Sequence, residues 1–443
     1  MRQVLLASLI AAPLAAQAPA ARLIAAPDAQ SKPIFGAVPV VRALPTGGLL
    51  VNDVSKRQLS LLDASLGNAM IVADSVAGTA SSYGVRGGGL IAYAGDSSLF
   101  VDPAGLSMFV LDPSGKIARV ASVPRSQDAA SIGSSGPGLP AFDSQGRLVY
   151  RGSFTFVRPT PQQAGRASGG SGAPTFVAPD IPDSTAIVRV DLASRKLDTA
   201  GYFKIARAKM KTEQTERGIT MTSETNPLPL VDDWAVLADG SIAIVRGQDY
   251  HVDFIDASGA LSSTAKLPFD WQRLDDEGKI AVVDSAKKAF ETARTAAANA
   301  PAGGAGSAGF GGSDGAPRMM INMSTGGTDG GGGIAQRMMA NGSGAGMSLA
   351  TPSFIAPAEL PDYRPAFGAG AARGDADGNL WIRTSATRAG SVGSIYDVIN
   401  RKGELIDRVQ LPPARQIVGF AKGGVIYMMA RDGSGNWIER THR

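Results

Sequence analysis

Five polar residues form the densest group of chemically capable side chains in this sequence. They are Asp232, Asp233, Arg246, Asp249 and His251. Carboxylates beside a histidine can form a general acid/base pair, and a nearby arginine can clamp an anion. The same residue types at strand ends also serve as structural hydrogen-bonding groups. Binding, catalysis and a structural role are therefore all open for this group.

Two motif-like patterns lie in a glycine-rich tract and lack the context that their chemistry requires. Residues 304–309 have the spacing of a dinucleotide-binding loop, and residues 311–315 have that of a nucleophile elbow. Both motifs need a strand before them and a helix after them. Here a helical pattern comes before and more glycine follows, so we expect no cofactor and no nucleophile.

Two patterns could suggest metal binding. Asp375, Asp377 and Asn379 alternate as in a calcium loop, but Leu380 and Ala386 occupy the positions where an EF-hand needs glycine and glutamate. A hairpin turn accounts for these residues, and we expect no metal site. Thioethers can bind Cu(I), and several methionines cluster without His or Cys. They are Met319, Met320, Met323, Met338, Met339 and Met347.

Composition excludes several classes of protein. The 443 residues include 55 glycines, about 12%, but 44% are apolar, which a disordered chain would not carry. The absence of cysteine excludes disulfides, thiolate nucleophiles and a lipid-bearing cysteine. The 43 basic residues are interspersed with 39 acidic ones, whereas a nucleic-acid-binding protein usually gathers its basic residues into a patch. We expect no nucleic-acid partner.

The N-terminus is typical of a secretory signal. Arg2 supplies a positive charge, residues 4–14 form a short apolar segment, and small residues up to Ala20 offer cleavage sites. The apolar segment is too short to span a bilayer comfortably, and no other stretch is long enough. We predict a signal peptide over residues 1–20, export to a periplasm or medium, and no transmembrane segment.

One unit recurs along the chain: an apolar run, a tight turn rich in Gly, Asp or Asn, and a second apolar run. Such units predict β-hairpins. The first hairpin of each pair spans residues 40–54, 90–101, 139–150, 234–245, 370–382 and 417–429. Each of the first five has a companion hairpin downstream. Two successive hairpins form a four-stranded sheet, and six such sheets predict an all-β, six-bladed β-propeller over residues 21–443.

The sixth unit lacks its outer strand because the chain ends at Arg443. Residues 22–25, Arg-Leu-Ile-Ala, precede the first inner strand and could supply the missing strand. We predict that they pair with the last blade and close the ring, which would remove an exposed sheet edge.

A family resemblance rests on the first repeat. The segment Leu50-Val51-Asn52-Asp53, followed by Arg57 and Leu61-Leu62-Asp63, resembles the NHL-type repeat of six-bladed propellers. Over residues 21–270 and 361–443 the chain is similar to secreted bacterial six-bladed propeller proteins (NHL-repeat or TolB-like) of uncertain function. The resemblance implies a propeller fold and no particular activity.

Every long insertion falls on one predicted face of the propeller, which we call the loop face. The insertions span residues 152–184, 205–231 and 269–366, and binding groups concentrate on loops held by a rigid scaffold. Within the last insertion, the apolar spacing predicts a helix over 275–298. Residues 299–350, rich in Gly and Met, are predicted to be disordered.

We therefore expect an exported monomer that binds a peptide, glycan or protein partner on the loop face. The alternative is a lactonase- or hydrolase-like enzyme that uses Asp232, Asp233 and His251 at the channel mouth. Gluconolactonase-type propellers hold a divalent metal there with acidic and amide side chains. This chain departs from that pattern, because its other inner strands begin with Val38, Gly89, Leu139, Gly368 and Gln416.

Overall fold

A computed structural model describes residues 19–443 except 77, 80, 85–87, 135, 154–181, 208, 216–217, 299–352 and 387–392. Most of the predicted signal peptide, the predicted disordered tract and the methionine cluster lie outside these described residues. The described chain begins with two short strands, β1 (Arg22–Leu23) and β2 (Ala29–Gln30), which join blades late in the sequence.

Blades 1 to 3 are four-stranded antiparallel sheets in sequence order. Blade 1 contains β3 (Val40–Ala43), β4 (Leu49–Asp53), β5 (Gln58–Leu62) and β6 (Ala69–Asp74). Blade 2 contains β7 (Gly89–Ala92), β8 (Ser98–Asp102), β9 (Ser107–Leu111) and β10 (Ile117–Ser122). After helix α1 (Ala129–Ile132), blade 3 contains β11 (Ala141–Phe142), β12 (Leu148–Arg151), β13 (Ser184–Val190) and β14 (Leu197–Lys204).

Blades 4 to 6 repeat the pattern after an extra hairpin, β15 (Lys209–Thr215) and β16 (Gly218–Thr225). Blade 4 contains β17 (Asp233–Val236), β18 (Ile242–Arg246), β19 (His251–Ile255) and β20 (Leu261–Ser263). Helix α2 (Asp276–Ala298) and β21 (Ser353–Phe354) follow it. Blade 5 contains β22 (Phe367–Gly374), β23 (Leu380–Thr384), β24 (Ile395–Ile399) and β25 (Leu405–Gln410). Blade 6 contains β26 (Arg415–Ala421), β27 (Val425–Asp432) and β28 (Gly435–His442). The predicted six-bladed propeller is confirmed.

The blades pack face to face, which explains why their middle strands are apolar on both sides. In β4, Leu50 contacts the blade 2 cluster around Phe100, while Leu49 and Val51 face the blade 6 cluster around Tyr427. All five residues of β4 are buried. The tight turns also touch across blades: Gly240 has φ +82°, and a Cβ there would lie 2.0 Å from the Ser144 nitrogen. Glycine is therefore required by both conformation and space.

An N-terminal strand does close the ring, but the predicted segment was wrong. Residues Arg22–Leu23 pair in parallel with β25 of blade 5, whereas β2 pairs antiparallel with β28 and completes blade 6. Ser31 extends this second pairing, because its amide donates to the Ile438 carbonyl at 2.7 Å. The apolar residues within 22–25 favoured a strand there. Ala29–Gln30 have no apolar pattern that would indicate a strand.

The inserted segments on the loop face build a small unit of their own. Strand β16 pairs in parallel with β21, and Val283 of α2 packs in a cluster with Leu228, Leu274, Ile355 and Leu360. The helix lies within the segment for which the sequence predicts one. Its predicted apolar face is only partly correct, since Ile280 is 50% exposed.

Candidate functional site

An open depression of about 660 Å³ lies on the loop face where blade 3 meets blade 4. Its wall comes from the end of β14, the entry to β17, the turn between β18 and β19, and the segment after β20. Eight side chains line it: Lys204, Asp232, Arg246, Gln248, Asp249, His251, Asp253 and Lys266. Four of the five predicted site residues are among them, and the exception is Asp233.

Arg246 bridges two buried carboxylates at the floor of the depression. Its Nη1 donates to Asp232 Oδ2 at 2.8 Å, and its Nε donates to Asp253 Oδ2 at 2.7 Å. Burial alone would lower the pKa of Arg246, but the bonds to Asp253 and Asp232 outweigh it and raise that pKa. Burial likewise opposes ionisation of Asp253, yet hydrogen bonds from Ser263 and Arg246 lower its pKa. The floor is therefore a charged, internally satisfied network.

Asp232 also ties the two blades together through the backbone. Its Oδ2 accepts the amide of Lys204 at 3.0 Å, and its Oδ1 accepts the amide of Gly247 at 3.0 Å. A comparable tie occurs in blade 1, where Asp53 at the end of β4 accepts the amide of Gly36 at 2.7 Å. In blade 4 the residue at that strand end is Arg246, and the carboxylate comes from the entering chain instead. The Asp232–Arg246 pair thus has a structural role.

Tyr250 fixes the turn that carries Asp249 and His251. It adopts φ +51°, the left-handed region that bulky residues rarely occupy. Its fully buried hydroxyl donates to Asp397 Oδ2 of blade 5 at 2.8 Å. Its ring packs against those of Phe269 and Phe367. These contacts compensate for the backbone strain, so the turn is held by its buried aromatic residue.

Both ring nitrogens of His251 face carboxylates. Nδ1 lies 2.6 Å from Asp249 Oδ1, and Nε2 lies 3.3 Å from Asp253 Oδ1. A protonated ring donates to both carboxylates, whereas a neutral ring can donate to only one. A general base needs a free ring nitrogen that faces its substrate. Here Nδ1 is hydrogen-bonded to Asp249, and Nε2 faces a carboxylate rather than the open depression, which disfavours a general-base role.

The rim of the depression is richer in positive charge than its floor. Lys266 has a 73% exposed side chain and lies 3.8 Å from Asp249 Oδ2, too far for a strong bond. Lys204 contributes a second ammonium group to the lining. Sequence reasoning missed Lys204, Gln248, Asp253 and Lys266. Of these, only Asp253 could have been predicted from the sequence. It follows His251 by two residues, and residues at that spacing lie on the same face of a strand.

Asp233 lies apart from the depression, fully buried at the start of the inner strand β17. Its Oδ2 accepts the amide of Ala372 from blade 5 at 2.8 Å. Burial raises its pKa to about 6, although backbone amides of Ala372, Trp234, Ala371 and Gly138 act in the opposite direction. Asp233 therefore joins neighbouring blades near the axis, and adjacency in sequence to Asp232 did not place the two side chains in one site.

The calcium-like pattern forms the hairpin turn that the sequence predicts. Asp375 Oδ1 accepts the amides of Asp377 and Asn379, and its Oδ2 accepts the indole Nε1 of Trp381 at 2.9 Å. Asp377 accepts two amides of the blade 6 turn. Within the described ranges, no group of three or more His, Asp or Glu side chains is placed to hold a metal ion. No helix in these ranges is long and apolar enough to cross a bilayer.

Comparisons with known proteins give distant structural similarities only. No family profile and no curated protein matches the chain. Among solved structures, it is similar to a Bacteroides fragilis protein, with a TM-score of 0.42 and 9% identity over 94% of this chain and 93% of the other. A Xanthomonas campestris gluconolactonase gives a TM-score of 0.36 and 10% identity, with 96% and 98% covered. Virginiamycin B lyase from Staphylococcus aureus gives 0.36 and 10%, with 94% and 98% covered. At these identities the likeness concerns architecture and says nothing of activity.

Proposed function

We propose that this chain is an exported binding module that recognises a peptide, glycan or protein partner on the loop face. The depression between blades 3 and 4 carries the proposal, because four of the five predicted side chains line it on a rigid sheet scaffold. The satisfied ion pairs of its floor fix the shape of the site. The exposed ammonium groups, carboxylate and amide of its rim are suited to polar contacts with a ligand.

A binding screen tests this proposal. Purified protein is applied to a peptide array and a glycan array, and the affinity of each hit is then measured by calorimetry. The double variant Lys204→Ala, Lys266→Ala should weaken binding at least about tenfold, which corresponds to about 1.4 kcal/mol. The matched control is Lys116→Ala, Lys402→Ala, two exposed lysines in turns on the opposite face. Equal affinity in both double variants would remove the depression as the binding site.

Export is the second part of the proposal, and it rests on the signal-like N-terminus. Fusing residues 1–30 to a reporter enzyme that is active only outside the cytoplasm should give activity. Replacing Arg2 and breaking the apolar segment with Leu6→Asp should abolish it, because both features drive recognition of a signal peptide. Reporter activity that survives both changes would contradict export by this segment.

The alternative of a lactonase or hydrolase is supported by one contact, the 2.6 Å bond between His251 and Asp249. The second carboxylate near Nε2 argues against it. We expect purified protein and the variant His251→Asn to hydrolyse gluconolactone at the same background rate. A faster rate in the unmodified protein, or a stoichiometric divalent ion found by metal analysis, would favour the enzyme instead.

A further inference from the structure

Two arginines of blade 5 lie side by side near the propeller axis. Arg373 belongs to the inner strand β22 and Arg383 to its neighbour β23. Arg373 is opposite Trp381 of β23 in the ladder. Arg383 follows Trp381 by two residues in β23. The two side chains therefore share one face of the sheet as diagonal neighbours, about 7–8 Å apart at the backbone.

Neither guanidinium has an acidic partner among the described residues. Arg373 Nη2 donates to the carbonyl of Pro39, the residue before the first strand of blade 1, at 3.5 Å. Burial lowers the pKa of Arg373. The nearby charge of Arg383 adds to this effect, while Tyr396 and Asp233 oppose it. The side chain of Arg373 is thus half-buried, and no carboxylate of the described residues contacts it.

Other partly buried arginines, including Arg415 at the start of the inner strand β26, contrast with this pair. Arg408 lies 2.9 Å from Asp397, Arg415 lies 2.9 Å from Glu439, and Arg147 lies 2.7 Å from Asp143. The protein therefore supplies a carboxylate to partly buried arginines elsewhere, but not here.

Two other blades each carry a single arginine at one of the two equivalent ladder positions. Arg42 of blade 1 occupies the ladder position of Arg373, and Arg151 of blade 3 occupies that of Arg383. Arg42 donates to Ser98 Oγ and the Ser97 carbonyl, both neutral. Burial lowers the pKa of Arg42, although the nearby charge of Asp96 opposes it, and burial also lowers the pKa of Arg151. Asp233 is the single carboxylate in the six inner strands, and backbone amides already occupy one of its oxygens.

We propose that the axial edge of blade 5 binds a small oxyanion between the guanidinium groups of Arg373 and Arg383. Guanidinium forks match phosphate, sulfate and carboxylate oxygens, and two half-buried like charges without a partner favour binding of an anion between them. The bound oxyanion supplies the missing negative charge. This site is separate from the depression between blades 3 and 4, so it does not depend on the proposed function.

Thermal unfolding tests this proposal. The melting temperature of the full chain is measured in chloride, phosphate, sulfate and acetate at matched ionic strength and pH. A ligand that binds only the native state raises the melting temperature progressively with its concentration. We expect such a rise with at least one oxyanion and not with chloride. The phosphate, sulfate and acetate arms distinguish a tetrahedral oxyanion from a carboxylate.

Variants locate the effect. Arg373→Met and Arg383→Met should lose the rise and, in chloride, be at least as stable as the unmodified protein, because each removes an unpartnered charge. Arg373→Lys keeps a charge without the fork and should weaken the response. The control Arg401→Met changes an exposed arginine that pairs with Asp239 and should respond like the unmodified protein. Absence of any oxyanion response, or an equal response in Arg373→Met and the unmodified protein, would overturn the proposal.

Discussion

At the scale of single residues, four of the five predicted polar side chains line one depression, but the fifth, Asp233, lies elsewhere. Asp232 and Asp233 are adjacent in sequence, yet the first bonds to Arg246 on the loop face and the second is buried against blade 5. Successive residues at a strand entry point to opposite sides, so sequence adjacency cannot place both in one site. The register of the strand pairs decides which side chain faces the depression, and that register depends on contacts between segments distant in sequence.

Asp233 should make stability depend on pH in a specific direction. Its pKa rises from 3.8 in the unfolded chain to about 6 in the folded one. The folded state therefore gains stability from the protonated carboxyl below pH 3.8 and loses it as the pH rises through about 6. The difference corresponds to about 3 kcal/mol.

The variant Asp233→Asn lacks this titration. Its free energy of unfolding, minus that of the unmodified protein, should therefore increase by up to about 3 kcal/mol between pH 4 and pH 8. Urea unfolding at several pH values measures the difference. The control Asp407→Asn changes a carboxyl whose pKa is lowered by Arg22 and Arg443 despite burial, so that carboxyl is ionised in both states above about pH 5 and its difference should stay nearly constant up to pH 8. A stability difference between Asp233→Asn and the unmodified protein that does not change with pH would contradict the assignment.

Arg246 should matter more for stability than its exposure suggests. Arg246→Met leaves Asp232 and Asp253 largely buried without their cation, and breaking such a pair costs about 3–5 kcal/mol. Arg401→Met removes an exposed pair and should cost at most about 1 kcal/mol. Denaturant unfolding of both variants gives the comparison, and equal losses would show that the floor network does not stabilise the fold.

At the scale of elements, the hairpins could be predicted because each carries its own turn signal. The glycine and aspartate turns of blades 1, 4 and 5 define the strands on either side without reference to the rest of the chain. The hairpin β15–β16 was missed, because its strands are rich in Lys, Thr, Glu and Gln rather than apolar residues. The closing strand β2 was misplaced for the same reason. Elements held mainly by backbone pairing leave little trace in hydrophobic patterning.

Truncation should separate the two N-terminal strands. Removing residues up to Pro27 deletes β1 and the buried Ile24, but it keeps the antiparallel pairing of β2 with β28. Removing residues up to Ser31 also exposes the edge of blade 6 and deletes the bond from the Ile438 amide to Ser31 Oγ. The longer truncation should lower the melting temperature markedly more. Equal melting temperatures would mean that β2 does not close the ring.

At the scale of the whole molecule, the propeller and the last insertion form separable parts. The insertion is joined at a narrow neck, where the Leu274 amide donates to the Asp362 carbonyl at 2.8 Å and the Arg364 amide donates to the Gln272 carbonyl at 2.9 Å. The cluster around Val283 lies beside this neck and includes Leu228 of the earlier insertion, whose strand β16 pairs with β21, so the two insertions pack on each other. The six blades have their own packing clusters.

Replacing residues 276–361 with a short Gly-Ser linker should therefore leave a folded propeller, because the two ends of the neck already lie together. We expect circular dichroism to lose its helical component and keep its strand signal, with cooperative thermal unfolding. Deleting β20 to β22 as well is the matched control, since it removes strands of blades 4 and 5. Loss of cooperative unfolding in the first variant would show that the insertion supports the blades.

The pairing of β2 with β28 also has a consequence for the order of folding. Ser31 and Ile438 lie 407 positions apart in the chain, so this contact forms only after nearly the whole polypeptide has emerged. Contacts between such distant segments slow folding. The first five blades can assemble locally as they appear, and β1 can pair with blade 5, while β2 stays unpaired until the last hairpin arrives. The slow step of folding should therefore be ring closure, and it should respond to changes in β2 more than to changes in any inner strand.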